Sequence, residues 1–305
     1  MQKKYPHKIA VQIFGHLRSY KNCISALKKN LLDRYDCDVF MHCWDVSDYT
    51  QNTSVTKDEI AHIKSIYALK DFKMESQKKH EPMFIPCLAT SKAQHINIYA
   101  MKNMLYSMQQ ANHLRKQYQQ KKNIKYDIVI CIRPDIYLKS PIPLDLFLSE
   151  MSVLGASLKN KRFCAVNYNK RQKNYILSTD LASDIITFAE QDTMDAIVSA
   201  LSEIDFTKEQ KRLWNPESFY SVVLEEHGIS SHAITYNYRD NWEIMRPIYL
   251  KSLNVRRLRK KIIKIHINKR ELRVFLFNFI PKEVFNFEAV FFEKFTIQFC
   301  IGIPK

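Results

Sequence analysis

The chain has 305 residues, and 46% of them are hydrophobic, which is enough for one large globular domain or two modest ones. Only four glycines are present, and neither GxGxxG nor GxxxxGK[ST] occurs, which argues against a dinucleotide fold with a Gly-rich turn and against a P-loop. A formal net charge of +16 favours an anionic partner, namely nucleic acid, anionic lipid or a phosphorylated substrate.

The N-terminal part of the chain predicts a strand, a helix and a second strand. Residues 8–19 alternate in polarity and turn at Gly15, and the segment over residues 20–35 has helical spacing. A second strand, CDVFMHCWD, ends at Asp45. A strand, helix and strand in this order form a βαβ unit, which predicts a parallel sheet with helices on its faces.

The middle of the chain predicts one long helix and one buried strand. Residues 46–89 are polar and irregular, which predicts loops with a single helix at 57–70. Residues 91–120 form the clearest helix. We interpret its apolar stripe as core packing, and the stripe consists of Ile98, Met101, Leu105, Met108 and Leu114. The apolar run YDIVICI then predicts a strand that runs directly into Arg133, Pro134 and Asp135.

The second half of the chain predicts two further helices. Residues 181–204 read as helical, and so do residues 215–228, where Pro216 lies at the start and Gly228 just past the end. The predicted fold class is therefore α/β, with a Rossmann-like, mostly parallel central sheet flanked by helices.

Polar residues that directly follow strands are the candidates for function, because open α/β sheets bind ligands outside the carboxyl ends of their strands. Four clusters meet this test: Gly15 to Arg18, His42 with Asp45, Arg133 to Asp135, and Arg239 to Asn241. We interpret His16 and His42 as loop or core histidines rather than as catalytic bases.

Five short motifs, in this order, carry a resemblance to a known family: FGHLRS, YDIVICIRPDIYL, SDIITFAEQDTM, NPESFY and DNWEIMRP. The chain resembles WavE-type bacterial lipopolysaccharide synthesis proteins and related glycosyltransferase-like families over roughly residues 8–247. The resemblance implies a GT-A-like fold, a nucleotide-sugar donor, and a lipopolysaccharide, capsule or other lipid-linked or surface-glycan acceptor.

The resemblance also gives a role to the end of the central strand. GT-A enzymes place an Asp-x-Asp there, whose carboxylates hold Mn²⁺ or Mg²⁺ against the donor diphosphate. In this chain only Asp135 is retained as a candidate metal ligand, and Arg133 replaces the first aspartate. Arg133 can bind phosphate without a metal, so metal-independent binding stays open. The alternative is structural, with Asp135 capping the following turn and Arg133 as its ion-pair partner.

A literal Asp-x-Asp also occurs, at Asp36, Cys37 and Asp38. These residues precede a strand instead of following one, so we expect them at the wrong edge of the sheet for a donor site.

The resemblance implies further donor contacts from Gly15, Arg18, Arg239 and Arg246. Arg18 follows the first strand, where the nucleotide would lie, and the other two arginines flank DNWEIM near the end of the core. The alternatives are an ordinary surface position for Arg18, and contacts that tie the C-terminal segment to the core for Arg239 and Arg246.

Two acidic residues are candidates for the catalytic group. Glu217, in WNPES, is the first candidate for the general base that removes the proton of the acceptor hydroxyl, and Asp184 is its rival. Both residues also fit the start of a helix, where acidic side chains are favoured by the macrodipole.

The C-terminal segment is predicted to be separate from a catalytic domain over residues 1–250. Residues 251–273 contain ten lysines and arginines and one glutamate, and residues 274–303 contain nine phenylalanines. A basic stretch followed by aromatic residues is typical of a peripheral element on an anionic membrane surface. Packing against the main domain, or an oligomer contact, is the alternative.

The cysteines and the N-terminus predict the compartment of the protein. The seven cysteines form no CxxC pair, which indicates reduced thiols, and the N-terminus lacks the apolar segment of a signal peptide. We therefore expect a cytoplasmic protein at the inner face of the membrane.

Two other functions stay open at this point. The charge alone would permit a nucleic-acid-binding protein, although no zinc-ligand spacing or RNP-like motif is present. The second open function is transfer of sulfate or phosphate to a glycan, and the missing P-loop-like motif counts against it.

Overall fold

The computed structural model describes residues 7–48, 53–84, 98–145, 148, 161–166, 185–204, 224–234, 236, 240–245, 263–268, 271–276 and 296–301. The chain divides into two compact units, Met1–Pro247 and Ile248–Lys305. The assignment of a catalytic role to the first unit and a membrane role to the second stays a prediction.

The first unit alternates strands and helices along the chain. Its described elements are β1 (Lys8–Gly15), α1 (Tyr20–Leu27) with a π-helical turn (Lys28–Leu32), β2 (Asp36–Trp44), α2 (Lys57–Ile66), β3 (Asp71–Glu75), α3 (Gln77–Phe84), α4 (Ile98–Lys122), β4 (Ile128–Ile132), β5 (Ile136–Leu138), β6 (Lys161–Val166), β7 (Ile186–Ala189), α5 (Gln191–Ser202), β8 (Ile229–Ile234) and β9 (Trp242–Ile244).

Seven of these strands form one sheet in the order β3-β2-β1-β4-β7-β6-β8. Strand β7 runs antiparallel to both of its neighbours, and the other six strands are parallel to one another. The prediction of an α/β fold with a mostly parallel central sheet flanked by helices is confirmed. The order reverses at β1, whose neighbours β2 and β4 lie on opposite sides, and such a switch point is where open α/β sheets form a ligand crevice.

Alternate residues of the central strands supply two separate cores, because successive residues of a strand face opposite sides of the sheet. Ile9, Val11 and Ile13 of β1 pack in the layer that contains α1 and α2. Ala10 and Phe14 pack in the layer that contains α4 and α5. The predicted core role of the α4 stripe is confirmed for its described side chains, because Met101, Leu105, Met108 and Leu114 are all buried.

Residues 46–89 contain more structure than the sequence predicted. Helix α2 was expected there, and it begins with a capping box: Thr56 Oγ1 accepts from the backbone N–H of Glu59 at 3.2 Å, and the Glu59 carboxylate accepts from the Thr56 N–H. Strand β3 was not expected. It is short, and it is held by parallel pairing with β2, a contact between residues distant in the sequence.

The predicted helix at 181–204 is wrong for residues 186–189. These residues form β7, which pairs with β4 and β6, and helix begins only at Gln191. Isoleucine, threonine and phenylalanine are favoured on a pleated surface, and here this preference prevails over helical spacing. Most of the helix predicted over 215–228 lies outside the described residues. Its predicted end is observed, because Gly228 follows the last turn with φ +69°.

A short two-stranded ribbon lies beside the main sheet. Strand β5, which directly follows the Arg133 to Asp135 segment, pairs antiparallel with β9. Trp242 of β9 is completely buried in the core layer that contains α1. The ribbon therefore ties the residues after β4 to a segment more than a hundred residues later in the chain.

The second unit contains a separate three-stranded sheet. Strand β10 (Ile263–Asn268) pairs antiparallel with β11 (Glu271–Leu276), which pairs parallel with β12 (Thr296–Ile301). Across the part of the chain that the structure describes, no helix combines the length and apolar character needed to cross a bilayer.

Candidate active site

The candidate site lies where the carboxyl ends of β1 and β4 meet. The two strands are parallel neighbours, and Ile13 pairs in register with Ile132. The segments that follow them, Gly15 to Arg18 and Arg133 to Asp135, therefore leave the same edge of the sheet side by side. This edge is also the switch point of the strand order.

A buried carboxylate joins these two segments. Asp135 Oδ1 accepts from Arg133 Nε at 3.0 Å, and Asp135 Oδ2 accepts from Arg133 Nη2 at 2.6 Å and from Arg18 Nη1 at 3.0 Å. The Asp135 side chain is 0% exposed, whereas those of Arg133 and Arg18 are 12% and 16% exposed. The geometry matches the alternative in which Arg133 is the ion-pair partner of Asp135, and it adds Arg18 as a second partner.

Arg18 has an unusual backbone conformation. Its φ is +45°, in the left-handed region that residues with a Cβ adopt at a cost. The backbone N–H of Arg18 donates to the Ser47 carbonyl at 2.9 Å, and its Nε lies 3.8 Å from Asp48 Oδ1. The surrounding contacts therefore hold a strained residue so that its guanidinium reaches Asp135.

The ribbon fixes the backbone on the other side of Asp135. The Met245 N–H donates to the Asp135 carbonyl at 2.8 Å, and the Ser19 hydroxyl donates to the Met245 carbonyl. Asn241, from the predicted fourth cluster, accepts from the Lys139 N–H at 2.7 Å. The segment around DNWEIM is thus a structural neighbour of Asp135.

Gly15 is anchored by a polar chain that runs through α4. Its N–H donates to Ser107 Oγ at 2.7 Å, and that oxygen lies 2.7 Å from His42 Nδ1. His42 Nε2 is 3.0 Å from Glu75 Oε2. A serine, a histidine and a glutamate in a row resemble a nucleophilic triad, but Ser107 is 0% exposed and its oxygen accepts the Gly15 N–H. This row of polar contacts therefore holds the Gly15 turn in place.

Burial keeps both histidines neutral. It lowers the pKa of His42 to about 4, against the opposing effect of Glu75. It likewise lowers the pKa of His16 to about 4, against a hydrogen bond of 2.8 Å to Gln77 Oε1. A group with so low a pKa is a weak base at neutral pH, which agrees with the interpretation of both as loop or core histidines.

Asp45 also has a structural contact. Its Oδ1 accepts from the Gln77 N–H at 3.0 Å, and Gln77 is the first residue of α3. An acceptor at a helix N-terminus satisfies a donor that has no partner within the helix. Asp45 therefore positions α3, which in turn supplies the contact to His16.

The resemblance implied Mn²⁺ or Mg²⁺ at this site. Hard cations require several oxygen ligands. Asp135 brings one carboxylate, and both of its oxygens already accept from guanidinium groups. No cluster of three metal-ligating side chains occurs within the described portion of the chain. The residues described at this edge therefore do not fit a metal by themselves, and the role of Asp135 as a metal ligand stays a prediction.

Four predicted site residues, Asp184, Glu217, Arg239 and Arg246, lie outside the described residues, so their roles stay predictions. One pair of strand residues lies close in the sequence to Asp184. Ile186, at the start of β7, pairs with Ile132, so the antiparallel strand begins at the edge from which Arg133 leaves.

The prediction that the literal Asp-x-Asp lies at the wrong edge of the sheet for a donor site is confirmed. Asp36 begins β2, at the opposite end of the strands from Arg133. Asp38 lies within 3.5 Å of both Lys8 Nζ and Lys70 Nζ and accepts from the Tyr126 hydroxyl at 2.9 Å. It is part of the packing at the amino ends of the strands.

Three residues that support the site carry no signal in the sequence pattern. Asp48 and Gln77 lie within the polar region 46–89, outside the helix predicted there, and Ser107 lies within a helix. Their contacts with Arg18, His16 and Gly15 join residues that are distant in the sequence, so only the fold shows them.

Comparisons with known proteins give likenesses to solved structures only. No protein-family model matches the chain, and no curated protein matches it. The resemblance to WavE-type proteins is thus not carried by a family model. Among solved structures, the chain is similar to the apo form of mouse xyloside xylosyltransferase 1, at 10% identity and a TM-score of 0.39, over 75% of this chain and 84% of that one. A likeness this weak assigns no function.

Proposed function

We propose that the protein is a glycosyltransferase that moves a sugar from a nucleotide-sugar donor to a glycan acceptor. The observation that carries the proposal is the pair of arginines at the switch point, joined by Asp135 at the carboxyl ends of β1 and β4. Guanidinium groups recognise phosphate oxygens through paired hydrogen bonds, and this crevice is where α/β proteins bind nucleotides.

The chemistry requires stabilisation of a leaving nucleoside diphosphate. As the bond between the anomeric carbon and the diphosphate oxygen breaks, negative charge grows on that oxygen. Arg133 and Arg18 are the partly exposed cations of the described site and would meet this charge. The backbone turn at Gly15, with φ +101°, has no heavy atom within 4 Å of the position of a Cβ, which leaves space for the donor.

The acceptor side needs a base. We assign the general base to Glu217, with Asp184 as its rival, because the acceptor hydroxyl must lose its proton as it attacks the anomeric carbon. The same proposal gives Arg239 and Arg246 to the donor phosphates. Support for the arginines comes from their neighbours in the sequence, because Asn241 to Met245 contact the strand that follows Asp135.

Turnover of nucleotide sugars tests this proposal. The protein is incubated with UDP-, GDP- and CMP-sugars one at a time, and release of the nucleotide is followed in the presence of glycan acceptors. We expect one donor class to be bound and consumed, and Glu217→Gln to bind it but not to transfer. The matched control is Glu225→Gln, at an exposed position. Stabilisation by polynucleotide alone, with no nucleotide-sugar response, would favour nucleic-acid binding and refute the proposal.

We further propose that the second unit binds an anionic membrane surface, which would bring a lipid-linked acceptor such as lipopolysaccharide to the site. The pairing of β10, β11 and β12 supports this proposal. At every second position of the register, residues of apolar type pair with one another across the three strands: Ile263, Ile265, Ile267, Leu272, Val274, Leu276, Ile297, Phe299 and Ile301. The basic residues of 251–273 supply the complementary charge for anionic headgroups.

Sedimentation with vesicles tests the membrane proposal. We expect binding to phosphatidylglycerol vesicles and little binding to phosphatidylcholine vesicles. Each basic residue near the surface is worth about 1 kcal/mol, so Lys260→Glu with Lys261→Glu should weaken binding by at least tenfold. The control is Lys121→Glu with Lys122→Glu, which changes the same charge at the exposed end of α4. Equal binding by both variants, or dimerisation in place of vesicle binding, would refute it.

A further inference from the structure

We propose that Asp135 positions Arg18 and Arg133 as a two-arginine clamp for a diphosphate, and that this clamp takes the place of a divalent cation. The inference rests on the proposed function for the identity of the ligand, a nucleoside diphosphate. It differs from the role that the resemblance implied, because Asp135 would touch neither metal nor donor.

Burial separates the two kinds of side chain. Asp135 has no exposed surface, and its two oxygens accept three hydrogen bonds from guanidinium groups. Arg133 and Arg18 retain exposed surface at the edge of the sheet. A ligand that approaches this edge therefore meets the cations, and the carboxylate lies behind them.

Charge excludes a cation at the same place. Two guanidinium groups lie within 3.0 Å of the Asp135 oxygens, so a divalent ion at this carboxylate would be repelled by both of them. An anion is attracted instead by the exposed N–H groups of the two arginines, and Asp48, 3.8 Å from Arg18 Nε, offsets part of this attraction. Arginine is suited to such a site because its planar, always charged group binds phosphate through paired N–H donors.

Fixed geometry is the contribution of Asp135. The bidentate pair with Arg133 sets the plane of that guanidinium, and the bond to Arg18 brings in the second guanidinium from the turn that follows β1. The Met245 N–H holds the Asp135 backbone, and the Ser47 carbonyl holds that of Arg18. A receptor that is organised before binding loses less entropy when the ligand arrives, and it distinguishes anions by shape.

Anion binding by the full chain tests the clamp directly. Affinities for inorganic pyrophosphate and for sulfate are measured by calorimetry in EDTA and then in Mg²⁺ or Mn²⁺. We expect pyrophosphate to bind in EDTA, and Mg²⁺ or Mn²⁺ to raise its affinity by no more than about threefold; any fall in apparent affinity reflects the complex that these ions form with free pyrophosphate. Arg133→Met should weaken pyrophosphate binding by at least about tenfold, because charge-assisted hydrogen bonds are lost.

The selectivity for pyrophosphate over sulfate tests the positioning role. In Asp135→Asn the two cations still attract anions but no longer hold a fixed geometry, so this selectivity should fall by at least about fivefold. Asp127→Asn is the charge-matched control, because Asp127 is 51% exposed and lies before β4, and its selectivity should not change. If Asp135→Asn does not fold, Arg133→Lys gives the same test, because lysine keeps the charge and loses the paired geometry.

The outcomes separate the clamp from the glycosyltransferase proposal. A requirement for metal in pyrophosphate binding, no binding in any condition, or unchanged selectivity in Asp135→Asn would each overturn the clamp. Metal-dependent turnover of a nucleotide sugar would overturn the clamp and leave the proposed function standing. Metal-free, selective pyrophosphate binding without turnover of any nucleotide sugar would support the clamp and remove the proposed function.

Discussion

The buried histidines behind the site predict a marked loss of stability in mild acid. Burial lowers the pKa of His42 and of His16 from 6.5 to about 4 in the folded protein. The unfolded chain keeps the ordinary value, so between these two pKa values it binds more protons than the folded protein does. Stability therefore falls as the pH drops through this window and is unaffected by these groups above it.

The size of the effect follows from the shifts. One pKa unit corresponds to about 1.4 kcal/mol, so each histidine should lower the free energy of unfolding by about 2 kcal/mol between about pH 7 and about pH 5. Glu75 and Glu59 have lowered pKa values and act in more acid solution, because their contribution is lost only as the pH falls below the ordinary value of 4.5. The window between pH 7 and pH 5 therefore isolates the histidines.

Urea unfolding at these two pH values measures the effect. We expect His42→Gln to remove about 2 kcal/mol from the difference in unfolding free energy between the two pH values, whatever it costs at neutral pH. His113→Gln is the control, at an exposed position on α4, and should keep the wild-type difference. An unchanged pH difference in His42→Gln would refute the reasoning, because it would mean that the histidine titrates alike in the folded and unfolded chains.

Three further substitutions test single contacts by urea unfolding. Arg115→Met should lower the free energy of unfolding by about 3 kcal/mol, because it leaves Asp195 without its buried partner. The control is Lys116→Met, because Lys116 is half exposed, and it should change the free energy of unfolding by less than about 0.5 kcal/mol. Thr56→Ala should cost about 1 kcal/mol by removing the capping box of α2. Arg18→Gly should be more stable than Arg18→Ala by about 1 kcal/mol, because only glycine adopts φ +45° without strain. An equal stability of the two Arg18 variants would show that the backbone there is not strained.

The features of the fold that are visible in the sequence are those set by local patterns. Strand β4 is an uninterrupted apolar run, typical of a strand buried on both faces, and its prediction is correct. Helix α4 has an apolar stripe at helical spacing, and its prediction is also correct. Strands β3, β5 and β9 are five residues or shorter, and they exist because of their pairing partners, which no local pattern shows.

The site was visible in part for the same reason. Arg133 and Asp135 are two residues apart, so their ion pair could be stated as an alternative from the sequence alone. The contribution of Arg18 to the same carboxylate spans 117 positions and depends on the register of β1 with β4. The rule that strand ends meet at one edge predicted that these segments would be neighbours, but it could not predict that the carboxylate would be enclosed by the two arginines.

The position of Pro134 accounts for a buried strand that ends in charged residues. Proline has no N–H to continue a sheet ladder, and the residue before it is held in an extended conformation. The chain therefore leaves the main sheet after Ile132 and enters the ribbon at Ile136. The turn between them places Arg133 and Asp135 at the boundary between the two sheets. Charges that would be costly inside either sheet are paired there, because Asp135 accepts from both Arg133 and Arg18.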